Sequence, residues 1–343
     1  MTPASRIDVR SVDLHLEVPF AISRSVRTEK RVVIVELDED GRIARGEACP
    51  DPFFGETPES VEAGVREAAA LLPDDPRDLA TLRARLDLRY PHGGAVACAI
   101  DVLAHDRAAQ AAGLPLRELL GIRGEPPPTS FTVGIAEPAL MAERAAAAAA
   151  KGFGVLKVKL GREGEVPILR AVRERFDGVI RVDANAAWSA VDALARIERL
   201  VPFDVEFVEQ PLPPEDLDGL RRLRARSPLP IVADEAAVRV GDIERLAGAC
   251  DGINVKLQKS GGIAEALAMI ARAHEAGLKV MLGCRAAETS VGIAAAAHLA
   301  GAVEWADLDG NLLVVDDPFV AVAVERGRFV FPDRPGLGVL ARR

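Results

Sequence analysis

GVLKVKLG (154–161), VIRVDAN (179–185), VEFVEQP (205–211), LPIVADE (229–235) and GINVKLQ (252–258) are five strand-like runs, each with a charged residue at or near its end. Those residues are Lys159, Asp183, Glu209, Asp234 and Lys256, in steps of 24, 26, 25 and 22 residues. A step of that length holds one strand, one helix and two short loops. Repeated β/α units bring the C-terminal ends of their strands to one mouth of a (β/α)8 TIM barrel, where the active sites of that fold lie.

Three further runs extend the pattern: SFTVGI (130–135) before it, LKVMLGC (278–284) and VEWADLD (303–309) after it. The total of eight is enough to close a barrel. Helix-like stretches lie between them, including the Ala-rich 138–150, WSAVDALARIERL (188–200) and GGIAEALAMIARAHEAG (261–277), so the strands are expected to be parallel with helices outside. The PPP at 126–128 marks a boundary. Before it, strands are expected over 5–20 and 30–49, the latter interrupted by the turn signal DEDG. Thr57-Pro58 reads as an N-cap followed by proline, opening a helix to about Leu72, and a second helix is expected over about 94–112. The expected division is an α+β cap (1–125), a catalytic barrel (126–314) and a C-terminal segment (315–343) that returns to the cap through VAVAVERGRFVF (320–331).

The 343 residues are 49% hydrophobic and carry a net charge of −9, which suits a large core and argues against a nucleic-acid surface. Cys49, Cys98, Cys250 and Cys284 have no metal-site spacing and fit buried thiols of a reducing compartment. The first residues alternate like a strand, with no signal peptide or transmembrane run, so a cytoplasmic protein away from membranes is expected. Self-association into a homo-oligomer stays open.

Side chains alternate between the two faces of a strand. In VLKVKL, Lys157 and Lys159 share one face, and the apolar residues on the other face must pack under the helices. The same rule turns Asp183, Glu209, Asp234, Lys256, Asp307 and Asp309 into the mouth. Three converging carboxylates, Asp183, Glu209 and Asp234, repel one another unless a divalent cation sits between them. An all-oxygen donor set favours Mg²⁺ or Mn²⁺ over Zn²⁺. His105, His274 and His298 fall in helical runs and read as structural. Lys157 and Lys159 on the second strand face Lys256 on the sixth, a layout suited to removing a proton from one face of a substrate and returning one to the other. A metal acting as Lewis acid would stabilise the enediolate formed beside a carboxylate, and Lys157 would lower the pKa of its neighbour Lys159. Lys259 lies past the strand end, in a supporting position. Asp307 and Asp309 make a site for a cation, most simply a substrate ammonium.

KVK (157–159), DANAAW (183–188), EQP (209–211), ADE (233–235) and INVKLQKSGG (253–262) resemble, in order and spacing, the muconate-lactonizing subgroup of the enolase superfamily over nearly the whole chain. DLDG (307–310) resembles the DxD motif of its dipeptide epimerases. FAISRSVRTEKRVVIVEL (20–37) and GEACPDPFFGET (46–57) resemble the cap loops of L-Ala-D/L-Glu epimerases, which close over the substrate. The resemblance implies that Asp183, Glu209 and Asp234 bind Mg²⁺ and that Lys159 and Lys256 are the acid/base pair. It also implies that Lys157 tunes Lys159 or contacts the substrate carboxylate, that Asp307 and Asp309 hold the dipeptide's ammonium, and that Arg24, with Arg27 nearby, pairs with a Glu side chain. The implied activity is Mg²⁺-dependent epimerisation of the C-terminal residue of a dipeptide such as L-Ala-L-Glu, in murein peptide recycling. The same site would also suit o-succinylbenzoate synthase, N-succinylamino acid racemase or muconate cycloisomerase chemistry, or a barrel that binds without catalysis.

Overall fold

In the computed structural model, which describes residues 5–161 and 163–342, the chain opens on a three-stranded antiparallel sheet in the order β1-β2-β3. β1 is Ser5–Ile22, β2 is Ser25–Glu39 and β3 is Arg42–Ala48. DEDG joins β2 to β3 with Asp40 and Gly41 both at positive φ (54° and 84°), the hairpin geometry that follows the twist of the strands. β3 pairs only with Val33–Glu39 of β2, so the far end of the β1–β2 hairpin projects beyond it. Its tip reaches the barrel, where Ile135 N donates to Ala21 O at 2.9 Å. The projection carries Arg24 to the mouth.

The helix Pro58–Ala68 starts as expected, with Thr57 and Ser60 capping each other reciprocally, and a 3₁₀ turn, Ala69–Leu71, ends it. A helix over Leu79–Arg89 has no counterpart in the sequence reading. Leu82 and Leu86 are buried one turn apart there, but the four charges between 83 and 89 mask that short stripe. The helix Ala95–Ala112 is buried on almost every side because it is wedged between the cap sheet and the barrel. Its approach to β3 is so close that a Cβ on Gly46 would sit 1.9 Å from Ala99 O.

Eight parallel strands follow in sequence order: β4 (Phe131–Val133), β5 (Val155–Lys159), β6 (Val179–Asp183), β7 (Val205–Glu209), β8 (Ile231–Ala233), β9 (Gly252–Lys256), β10 (Lys279–Gly283) and β11 (Trp305–Asp307). A parallel bridge between Thr129 and Ala306, with Ser130 N donating to Ala306 O at 3.1 Å, closes the ring between its first and last strands. The first and last strands are shorter than SFTVGI and VEWADLD suggest. Asp309 lies beyond β11, in the turn before the 3₁₀ segment Gly310–Leu313. The helix expected over 188–200 begins only at Ala193. Asn185 and Ala186 take positive φ (45° and 61°) just after Asp183, and Trp188 is used instead to lock the loop, donating from Nε1 to Gly161 O at 3.1 Å.

Below the charged mouth, Phe207, Val232, Met281 and Trp305 plug the barrel, with the two rings 4.8 Å apart. The chain after Val314 runs back over the cap. Asp316 accepts from His15 N, and Val339 O and Leu337 N bond to Arg45 and Asp106 of the cap. It also touches the closed end of the barrel, where Thr129 N donates to Gly327 O at 2.9 Å. Among the described residues, no helix is long and apolar enough to cross a membrane.

Candidate active site

Register sets the chemistry at one level. Lys159 pairs with Asp183 and Asp183 with Glu209, while Gly283 pairs with both Lys256 and Asp307. Each charged member of this ring is the last residue of its strand, and Asp234 follows β8 directly. The seventh strand contributes no side chain because a Cβ on Gly283 would lie 2.4 Å from Asn254 Oδ1.

Asp183, Glu209 and Asp234 are fully or almost fully buried, and each offers an oxygen within 4.8 Å of the other two. Glu209 Oε2 is 2.8 Å from Lys157 Nζ, but it is not aligned for a hydrogen bond and has no other hydrogen-bond donor among the described residues. Burial, with Asp183 adding to it, pushes Glu209 up to about 7. A buried carboxylate oxygen without a hydrogen bond, among three converging carboxylates, is a donor set that suits a hard cation, so the residues fit Mg²⁺.

The lysines compensate these charges. Lys157 Nζ lies 2.7 Å from Asp307 Oδ2, 2.8 Å from Glu209 Oε2 and 3.1 Å from Asp183 Oδ2. Burial pulls its pKa down, but Asp307, Glu209 and Asp183 outweigh burial and hold it well above the usual lysine value. Its charge is thus shared among three carboxylates. Lys159 Nζ donates to Asp183 Oδ2 at 2.6 Å, and Lys256 Nζ to Asp234 Oδ2 at 2.7 Å. Asp234 outweighs burial at Lys256 and holds it protonated. Burial likewise pushes Asp234 up, yet Lys256 and Lys259 bring it well below the ordinary carboxylate range. Lys259, buried in the short helix Leu257–Ser260, takes the supporting position expected of it and bonds Asp234 Oδ1 at 2.6 Å.

Asp307 and Asp309 face the same cavity, which opens to solvent. Ser130 Oγ donates to Asp307 Oδ1 at 2.5 Å, and Thr132 N to Asp309 Oδ2 at 2.6 Å. Burial, then the neighbouring Asp307, pushes Asp309 up to about 7, the mark of a carboxylate short of positive charge. Arg24 and Arg27 both line the cavity. Arg24 donates to Glu235 Oε1 at 2.8 Å and to Asn185 O at 3.2 Å, and stacks on Phe53 at 4.6 Å. Arg27 lies 3.9 Å from Asp51. Cys49, Cys98 and Cys250 are buried as expected, whereas Cys284 is half-buried in the cavity wall. His105 and His298 are buried within the helical framework, and His274 pairs with Glu304 at 3.3 Å.

Several contributors escaped the sequence reading. Asn254 donates to Glu209 Oε1 at 2.8 Å, and Gln210 Oε1 accepts from the backbone N–H of Asp234 and Ala236. Asn254 sits two residues before Lys256 and Ser130 two before Thr132, so the strand-face rule contained a signal for them. Lys30 and Arg285, also in the wall, left no such signal.

This barrel, cap and ring of charges define an enolase-type fold, and the sequence comparisons agree. Residues 5–121 match the profile of the mandelate racemase/muconate lactonizing enzyme N-terminal domain, and residues 140–342 match the enolase C-terminal domain-like profile. The chain therefore belongs to the mandelate racemase/muconate lactonizing enzyme family of the enolase superfamily. It is 38% identical to an L-Ala-D/L-Glu epimerase of Bacteroides thetaiotaomicron over 96% of this chain and 86% of that protein. The structure of a dipeptide epimerase from Enterococcus faecalis complexed with Mg and L-Leu-L-Tyr superposes with a TM-score of 0.92, at 34% identity over 97% of this chain and 98% of that one. A substrate-liganded L-Ala-D/L-Glu epimerase of Bacillus subtilis gives 0.91, at 30% identity over 98% of both chains.

Proposed function

We propose that this chain is a Mg²⁺-dependent dipeptide epimerase acting at the α-carbon of the C-terminal residue. One observation carries the reading. Lys159 and Lys256 end strands β5 and β9, on opposite sides of the barrel, with Asp183, Glu209 and Asp234 between them and the Asp307/Asp309 pair beyond. Asp183, Glu209 and Asp234 would hold the metal. When bound, it supplies Lewis-acid stabilisation for the substrate carboxylate and takes up carboxylate charge that otherwise holds Lys256 protonated. One of the two lysines removes the α-proton, leaving the electron pair of the C–H bond to delocalise into the carboxylate. The ammonium of the opposite lysine delivers a proton to the other face and forms the new C–H bond. Lys157 neutralises the pocket between the two carboxylate groups. Asp307 and Asp309 hold the dipeptide's α-ammonium, which distinguishes this reading from synthase, N-succinylamino acid racemase or cycloisomerase chemistry, whose substrates lack that group.

Arg24, held over the mouth by Asn185 and Glu235, suits an acidic C-terminal side chain. L-Ala-L-Glu and L-Ala-D-Glu, as in murein peptide recycling, are therefore the first substrates to try. The cap (1–125), barrel (126–314) and returning segment (315–343) act as lid, catalytic body and clasp. The free cysteines fit a cytoplasmic enzyme. The test is incubation with Mg²⁺ and L,L-dipeptides in D₂O, followed by mass spectrometry. A gain of about one mass unit at the C-terminal residue is expected. No label in any dipeptide, with Mg²⁺ shown to bind, would sink the reading.

A further inference from the structure

The cavity that Asp309 lines also carries Arg27 and Lys30 from β2, Arg285 just past β10, and Asp51, and the carboxylate of Glu288 accepts from the backbone N–H of Arg285. Asp51 pairs with Arg285 and lies 3.9 Å from Arg27. Glu56, behind it, is occupied by the backbone N–H groups of Asp51 and Ala95. The Arg285 side chain is only 9% exposed, and its Nε and Nη2 have no hydrogen-bond partner among the described residues. Lys30 is 8% exposed, and among the described residues its ammonium makes neither a hydrogen bond nor an ion pair. Burial, reinforced by Arg27 and Arg285, pulls its pKa down. A buried ammonium without an acceptor and unpaired buried guanidinium N–H groups are costly, and an anion beside Lys30 and Arg285 removes that cost.

The position of this wall identifies the anion. Gly283 is level with Asp307, and Arg285 follows two residues later. Gly310, next to Asp309, is packed so tightly on Arg285 that a Cβ would sit 2.5 Å from its carbonyl oxygen. The cations thus line the same cavity as Asp307 and Asp309, whereas Arg24 sits with Asn185 and Glu235 at the ends of other strands. An ammonium held by Asp307 and Asp309 is one bond from its α-carbon, so the side chain of the first residue enters the cavity that this wall lines. Resting on the epimerase reading, we propose that Lys30, Arg27 and Arg285 form a subsite for a carboxylate side chain on the first residue, making N-terminal glutamyl and aspartyl dipeptides substrates.

The experiment compares L-Glu-L-Glu, L-Gln-L-Glu and L-Ala-L-Glu as substrates of the Mg²⁺-loaded enzyme, reading α-proton exchange at the second residue. Glu and Gln differ at the first position in charge but hardly in size. A kcat/KM at least about tenfold higher for L-Glu-L-Glu than for L-Gln-L-Glu is expected, as a desolvated charge pair requires. That ratio should fall toward one in Lys30→Met and in Arg285→Gln. Equal rates for the Glu and Gln dipeptides with L-Ala-L-Glu turned over would overturn the subsite and leave the epimerase standing. No exchange in any dipeptide would overturn both. Should either variant fail to fold, the wild-type ratio alone decides.

Discussion

Lys157 and Asp307 meet across the ends of β5 and β11, with Nζ 2.7 Å from Oδ2. The same ammonium reaches Glu209 and Asp183, so one buried charge couples the carboxylates proposed for the metal to the carboxylates proposed for the substrate. Replacing it with an isosteric apolar side chain leaves buried carboxylates unpaired, at a cost on the order of 3–5 kcal/mol. Lys157→Met should therefore unfold at clearly lower denaturant in EDTA, with Mg²⁺ restoring part of the loss. A variant as stable as wild type in EDTA would show that Lys157 does not carry this charge balance.

Lys159→Ala and Lys256→Ala should each lower epimerisation by at least about a hundredfold, the scale of a lost acid or base. Each single variant should still exchange the α-proton of one stereoisomer with D₂O, and the two variants should favour opposite stereoisomers. Normal epimerisation by either variant would exclude the two-base scheme.

Asp309 has its pKa raised to about 7 by burial and by Asp307. Below that pH it carries a proton and loses its attraction for an ammonium. The KM for a dipeptide should rise as pH falls below about 7 and level off above it. Asp309→Asn should show a high KM with little of that pH dependence. A wild-type KM that stays flat between pH 6 and pH 8, on the order of one unit either side of this pKa, would remove Asp309 from ammonium binding.

Glu47 of β3 accepts hydrogen bonds from Thr289 N and Gly292 N and joins the cap to the barrel. Burial, then the adjacent Glu288, pushes it from 4.5 up to about 8. The folded protein thus keeps a proton that the unfolded chain releases, so this stabilisation is present below the unfolded value and is lost as pH rises from about 4.5 to about 8. Urea melts across that window should show wild type losing more stability than Glu47→Gln, in which no carboxyl is left to ionise. Parallel curves would contradict the assignment.

Much of the site was legible because it obeys a local rule. Lys157, Lys159, Asp183, Glu209, Lys256 and Asp307 stand in phase on strands whose opposite face must be apolar. Asp309 reached the mouth too, but from a turn beyond β11, where alternation no longer applies. Arg24 was legible only as part of a motif, because a hairpin tip has no periodicity that points it anywhere.

The repeated β/α order, the charged residues at the strand ends and the oxygen-only donor set follow from neighbouring residues alone, since strand alternation and helix-strand spacing are local properties. That Gly283 leaves the ring without a side chain, that Lys157 is shared among Asp183, Glu209 and Asp307, and that Lys30 and Arg285, more than 250 residues apart, face one cavity could be read from the folded chain alone. Those outcomes follow from barrel closure and from the seating of the cap, which bring together side chains that no local period relates.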